Sequence, residues 1–424
     1  MSNLSERKLL IPVFLTVFID LLGATIVLPI LAPLFLDFQH GIMPMAVQAG
    51  TDMAAVTRER TILFGLLIAS FPLAQFFGAP LLGTWADRVG RKKVLSISLL
   101  GTLIGYILFA LGIHYKLVWL LFFARILDGF TGGNISIAFS AISDVSTPES
   151  KTRNFGLIGM AFGLGFIIGP YIGGKLADPG VVSWFNFETP FWFAALLCVI
   201  NLLLVLRYFF ETLKQPGRKR MNFMEGMQNI AKAATRPNLR RMFTVVFLWA
   251  FGFSLFTQFL QVFLIQKFNY KQGDIGDYFG YVGLWIAFTQ GFITRFLSRR
   301  MAPSRTASIF LFTLGIALVL LLIPDRAYYL FFLSPFVAMS QGILGPNMQT
   351  LVSNTAGPNE QGEILGINQS VQSLAQAIPP IVAGFVVSID RNLPILMAAG
   401  FTLAAWLFYM LRVHRKSDSH ATHP

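Results

Sequence analysis

The chain has 424 residues, of which 55% are hydrophobic and 12% charged, with a mean hydropathy of +0.64 and a net charge of +13. Soluble globular chains carry roughly 25% charged residues, so composition excludes a water-solvated fold and makes lipid the expected solvent. The positive balance would suit a nucleic acid, but the cations cluster on alternate sides of long apolar runs, which points to membrane topology and excludes that partner.

A membrane span needs about 20 apolar residues. Twelve such runs follow in order: 9–36, 61–84, 94–113, 117–142, 154–174, 190–210, 242–265, 276–298, 306–323, 328–352, 362–388 and 393–413. The expected fold is an all-α membrane protein of twelve transmembrane helices. With the N-terminus in the cytoplasm, the inner loops and both termini hold most of the Lys and Arg. The outer loops hold only Arg58, Arg60, Lys116, Lys175, Lys267, Lys271, Arg326 and Arg391. Met1–Lys8 is too short and polar for a cleavable leader, so the first span directs insertion.

Asp20 lies in the middle of the first span. An ionisable group at that depth is costly and faces a bundle interior or a wet cavity, which makes it a candidate for loading and unloading a proton. The outer loop 37–60 is long and is expected to hold a short surface helix. Between the second and third spans runs Gly83-Thr84-Trp85-Ala86-Asp87-Arg88-Val89-Gly90-Arg91-Lys92-Lys93. A tight, charged, glycine-bracketed connection suits a gate between moving helices. Gly83 permits close approach and Gly90 a turn. Asp87 can receive hydrogen bonds from a neighbouring helix N-terminus, and Arg88, Arg91 and Lys92 can pair with acids or lipid phosphate.

In the fourth span Arg125 and Asp128 are three residues apart, on one helical face. Arg125 stays charged and can hold Asp20 or Asp128 ionised; a permanently paired structural couple is the alternative. The fifth span places Gly165, Gly169 and Gly173 on one smooth face, followed by Gly174, while Pro170 bends the helix. Cys198 in the sixth span is the only cysteine, which excludes an internal disulfide. No His/Cys/Asp/Glu cluster has metal-ligand spacing.

The segment 211–241 separates residues 1–210 from 242–424. It is rich in Lys and Arg, with Met221, Met224, Met227 and Ile230 at helical spacing. Either an interfacial amphipathic helix or a solvated linker with buried methionines fits. The second half carries amides in place of charges: Gln258, Gln261, Gln290, Asn347, Asn368, Gln369, Gln372 and Gln376. With Asn134 of the first half, they form a candidate cavity for amphipathic solutes. The halves also echo each other. Asp128-Gly129 through Asn134 aligns with Gln341-Gly342 through Asn347, and Pro170 and Gly174 match Pro380 and Gly384 at an offset of 210. Two six-span repeats imply two bundles around a cavity with alternating access.

The loop pattern G-x-x-x-D-R-x-G-R-K-K resembles that between the second and third helices of major facilitator superfamily transporters. Arg125-Ile126-Leu127-Asp128-Gly129 resembles the family's R-x-x-Q-G, with Asp128 in place of glutamine. Residues Gly165 to Gly174 resemble the G-x-x-x-G-P-x-x-G-G of its antiporters, which implies outward transport. The resemblance extends over nearly the whole chain and is nearest to drug:proton antiporters that include tetracycline exporters. It implies the major facilitator fold and a monomeric, multi-pass protein of the cell inner membrane with both termini cytoplasmic. The implied partners are a small-molecule substrate, protons and membrane lipid; the implied energy source is a proton gradient, with no cofactor. A nutrient importer and a non-transporting receptor or assembly factor of the same fold are the alternatives. An enzyme is not expected, because no nucleophile–base pair or metal site emerges from the sequence.

Overall fold

The computed structural model describes residues 3–45, 52–132, 134–145, 161, 163–165, 167–213, 222–298, 300–355, 361–387 and 389–414. Among these the secondary structure is helical throughout. Among the described residues, eight segments are long and apolar enough to cross a membrane: Leu10–Leu36, Met53–Val89, Arg91–His114, Thr189–Tyr208, Leu239–Phe268, Pro303–Leu320, Ala327–Ser353 and Leu393–Val413.

The other predicted spans are not among these eight. The fourth divides at Gly132 into helices Val118–Thr131 and Asn134–Val145. The fifth is described only in part, with 167–176 helical. The eighth runs as helix Gln272–Phe288 into a π-turn at Thr289–Ile293. The eleventh forms a 26-residue helix, Gln361–Val386, whose apolarity is diluted by its amides.

Proline marks several helix starts, at Pro190, Pro237, Pro303 and Pro394, where its missing N–H is no loss. The outer loop 37–60 differs from expectation. The Asp52 carboxylate accepts from the N–H groups of Ala54 and Ala55, each at 3.1 Å, and so caps a helix. That helix, Met53–Val89, runs 37 residues without a break. No separate surface helix is needed, because the second span itself begins at Met53.

The chain clusters into two compact units. The first comprises Met1–Thr51, Ser70–Glu225 and Lys271–Gly280; the second comprises Asp52–Ala69, Gly226–Tyr270 and Tyr281–Pro424. In the first unit, helix Asn3–Ile26 packs between Asn134–Val145 and Thr189–Tyr208. In the second, helix Pro237–Phe268 packs on Gln361–Val386 and Leu393–Tyr409.

The linker helix Glu225–Thr235 buries Asn229 and Ala233, and leaves Met224 and Met227 exposed. Met227 on this helix and Met224 just before it are therefore not packed in a core. Met221 and the linker cations Lys214, Arg218, Lys219 and Arg220 lie outside the described residues.

Candidate functional site

The first unit gathers its polar side chains around a small cavity. Asp20 and Gly23 of the first helix line it with Thr102 and Tyr106 of helix Arg91–His114 and with Cys198 and Asn201 of Thr189–Tyr208. It has room for about one water molecule. Tyr106 is buried, lies within electrostatic reach of both Asp20 and Asp128, and its hydroxyl is 3.2 Å from where a Cβ on Gly23 would stand. Thr102, one turn away, hydrogen-bonds the Asp128 carboxylate. Asn201 donates to Thr16 O at 3.0 Å, and Cys198 to Leu99 O at 3.2 Å.

Arg125 approaches Asp128 at 3.8 Å and lies over the Phe71 ring at 4.5 Å from its centroid. Its Nε is buried without a hydrogen-bond partner. The predicted face-sharing of Arg125 and Asp128 is thus present as a long ion pair. Sequence reasoning missed Tyr106, although a tyrosine in the middle of an apolar span was a visible signal.

The charged connection forms a second cluster. Arg91 pairs with Asp87 and, at 3.2 Å, with Asp144. Thr212 donates to the same Asp144 oxygen at 3.0 Å. The N-terminus of helix Arg91–His114 is capped by Glu211, which accepts from Arg91 N at 2.8 Å and Lys92 N at 3.2 Å. Glu211 therefore fills the helix-capping role expected of Asp87. The carboxylate must sit beyond the helix start, and Asp87 precedes it on the neighbouring helix and turns toward the Arg91 guanidinium instead.

Lys92 donates to Leu206 O at 2.8 Å, and Arg88 is exposed. Gly90 has φ +117°, a backbone conformation that favours glycine, and a Cβ there would also displace the Glu211 carboxylate. Gly83 makes no close approach, since a Cβ would meet nothing within 4 Å. The linker reaches this cluster as well. Phe223 stacks on Phe77 with ring centroids 4.9 Å apart, and Thr84 donates to Glu225 at 3.2 Å.

The fifth-span glycines behave as predicted for a packing face. Cβ atoms on Gly165, Gly169 and Gly173 would press on Leu21, Thr25 and Ile26 of the first helix. Thr25 donates across that seam to Gly165 O at 2.8 Å. On another face, a Cβ on Gly276 would stand 2.8 Å from Gly174 Cα and 3.0 Å from Pro170 O. The second unit repeats this arrangement, with Gly65 against Pro380 O and Gly384.

Next to the first of these contacts, Lys175 and Asp277 form an ion pair of 2.9 Å. The hydrogen bond to Asp277 raises the Lys175 pKa above its ordinary value. A raised cation pKa gives stability that is present below the unfolded value and disappears as pH climbs through the folded one. The side chains are 33% and 48% exposed, so the pair contributes only about 0.2–1 kcal/mol. Lys175→Met is therefore expected to lower the thermal midpoint slightly at neutral pH. The difference should begin to shrink above the ordinary lysine value, about pH 10.4, and vanish once pH passes the raised folded value; thermal scans of both proteins across pH check this.

The predicted amides divide. Asn368 and Gln372 line a cavity in the second unit. Gln261 is buried, Gln258 and Gln290 are half-buried, and Gln369 and Gln376 are exposed. Asn347 donates to Ile343 O of its own helix at 2.7 Å. Asn134 begins its helix, and its side chain lies outside the described residues.

These features define a helical, multi-pass membrane protein with carboxylates and an arginine within its first unit and an amide-lined cavity in its second. The sequence matches the Major Facilitator Superfamily over residues 13–380 and again over 308–423, and the chain belongs to that family. Mouse major facilitator superfamily domain-containing protein 10 is 28% identical over 417 residues, covering 90% of this chain and 88% of the relative. The class E tetracycline resistance protein of Escherichia coli is 28% identical over 386 residues, covering 89% and 87%. Multidrug resistance protein 2 of Bacillus subtilis is 26% identical, covering 99% of each. Among solved structures, the human organic anion transporter MFSD10 (TETRAN) superposes with a TM-score of 0.72 at 24% identity, covering 96% of this chain and 100% of that one. A D-xylose-proton symporter superposes with a TM-score of 0.74 at 13% identity, covering 97% and 98%. At these identities the solved structures establish the fold, which is the major facilitator fold with its twelve-helix arrangement.

Proposed function

We propose that this transporter uses a proton gradient to export amphipathic organic compounds across the cell inner membrane, as a monomer with both termini in the cytoplasm. The observation that carries the reading is the placement of Asp20. Asp20, in the middle of an apolar run, borders a small polar cavity that it shares with Tyr106, and Tyr106 also lies within electrostatic reach of Asp128. An ionisable group at membrane depth that borders a polar cavity is a candidate for taking up and releasing a proton. Relatives named for tetracycline and multidrug resistance, and the fifth-span pattern from Gly165 to Gly174, support outward movement of drug-like molecules.

A second reading, movement of an organic anion, is favoured by Arg125, whose Nε is buried and unpartnered beside a long ion pair. It also agrees with the name of the human structural relative. Inverted vesicles carrying a preformed proton gradient separate the two. Exporter action should collapse the gradient when an amphipathic neutral or cationic drug is added. A gradient that collapses only with anions would select the second reading, and one that never collapses would remove proton coupling.

A further inference from the structure

The second unit contains a cavity of about 140 Å³ bordered by Trp249, Gly345, Met348, Asn368 and Gln372. An engineered apolar cavity of about 150 Å³ takes up benzene, so this one fits a single aromatic ring. Gly345 creates part of the space, because a Cβ at that position would meet nothing within 4 Å. Trp249 is held in place by its indole N–H, which donates to Gln341 Oε1 at 3.1 Å. With that donor engaged, the indole offers the cavity only its aromatic surface.

Asn368 supplies the polar feature. It is 4% exposed, and its Nδ2 donates to Gln349 Oε1 at 3.1 Å. Its Oδ1 is buried with no hydrogen-bond partner. A buried carbonyl oxygen without a donor is costly, and a guest that supplies one removes the cost. None of the lining residues is charged. A charged guest would lose its hydration without gaining a counter-ion.

We propose that this cavity binds an uncharged aromatic ring carrying one hydrogen-bond donor, of the phenol or anilide type. The ring packs beside Trp249 and Met348, and the donor reaches Asn368 Oδ1. The inference rests on the export reading only in taking that ring to be part of the transported compound.

The test is ligand-detected saturation-transfer NMR on the purified full chain in detergent, with phenol and anisole as probes. Anisole has the same ring but no donor. Phenol is expected to bind about tenfold more tightly than anisole, the usual scale for one buried hydrogen bond. Asn368→Leu should remove that preference while leaving weak binding of both. Gly345→Leu should fill the cavity and abolish both signals; where it lowers the yield of folded protein, Gly345→Ala serves as the smaller filler and should weaken both. Equal binding of phenol and anisole, or phenol binding unaffected by the Gly345 variants, overturns the proposal. Phenol binding by a chain that exports nothing would retain the cavity assignment and remove the export reading. Export without phenol binding would do the reverse.

Discussion

Asp20→Asn is expected to reduce proton-driven export to the level of membranes lacking the protein, while exchange of labelled solute between the two sides stays measurable. Asparagine keeps the size and polarity of the side chain but cannot take up or give off a proton. The cavity shared with Gly23, Thr102, Tyr106 and Asn201 should therefore keep its shape, and only the coupling should fail. Asp20→Glu, which retains the acid, should recover part of the export. The same measurement on Asp128→Asn ranks the two acids. A partial loss there places Asp128, held by Thr102 and approached by Arg125, in a supporting position. Full-rate export by Asp20→Asn would take Asp20 out of the proton path.

Gly173→Val should be the most damaging of the glycine substitutions to folding. A Cβ at Gly173 falls on the backbone carbonyl of Ile26, which cannot rotate away as a side chain can. Overpacking of this kind costs about 1–3 kcal/mol, and a β-branched residue in a rigid helix–helix seam belongs at the upper end. The expected result is a lower thermal midpoint and a lower monodisperse yield in detergent. Gly83→Val, placed where nothing lies within 4 Å, is the matched control and should change neither. A Gly173→Val protein that melts with the parent would show that the first helix and the fifth span do not need this contact.

Much of the architecture was legible in the sequence, because a bilayer imposes length and apolarity on each span. The charged connection, the Arg125–Asp128 spacing and the glycine face of the fifth span could be read from residue type and period alone. Less legible were the partners that come from distant helices. Glu211 caps the Arg91–His114 helix across 120 residues of sequence, and Asp144 joins Arg91 and Thr212. No local pattern encodes such meetings. Tyr106 and Trp249 were hidden for a different reason, since aromatic residues in a chain with 43 phenylalanines look like ordinary lipid-facing or packing groups. The boundary at Met53 was missed because the charges from Arg58 to Arg60 suggested a loop, whereas Asp52 caps a helix that carries them.

The proline–glycine contacts at Gly276 and Gly65 have a practical value for experiment. Each is a backbone-to-backbone fit, one with Pro170 and Gly174 and the other with Pro380 and Gly384. Because one polypeptide holds two copies of the same kind of joint, a lesion in either can be judged against its twin under identical lipid, temperature and expression. Unequal penalties from matched alanine replacements would show which of the two joints the folded chain depends on more.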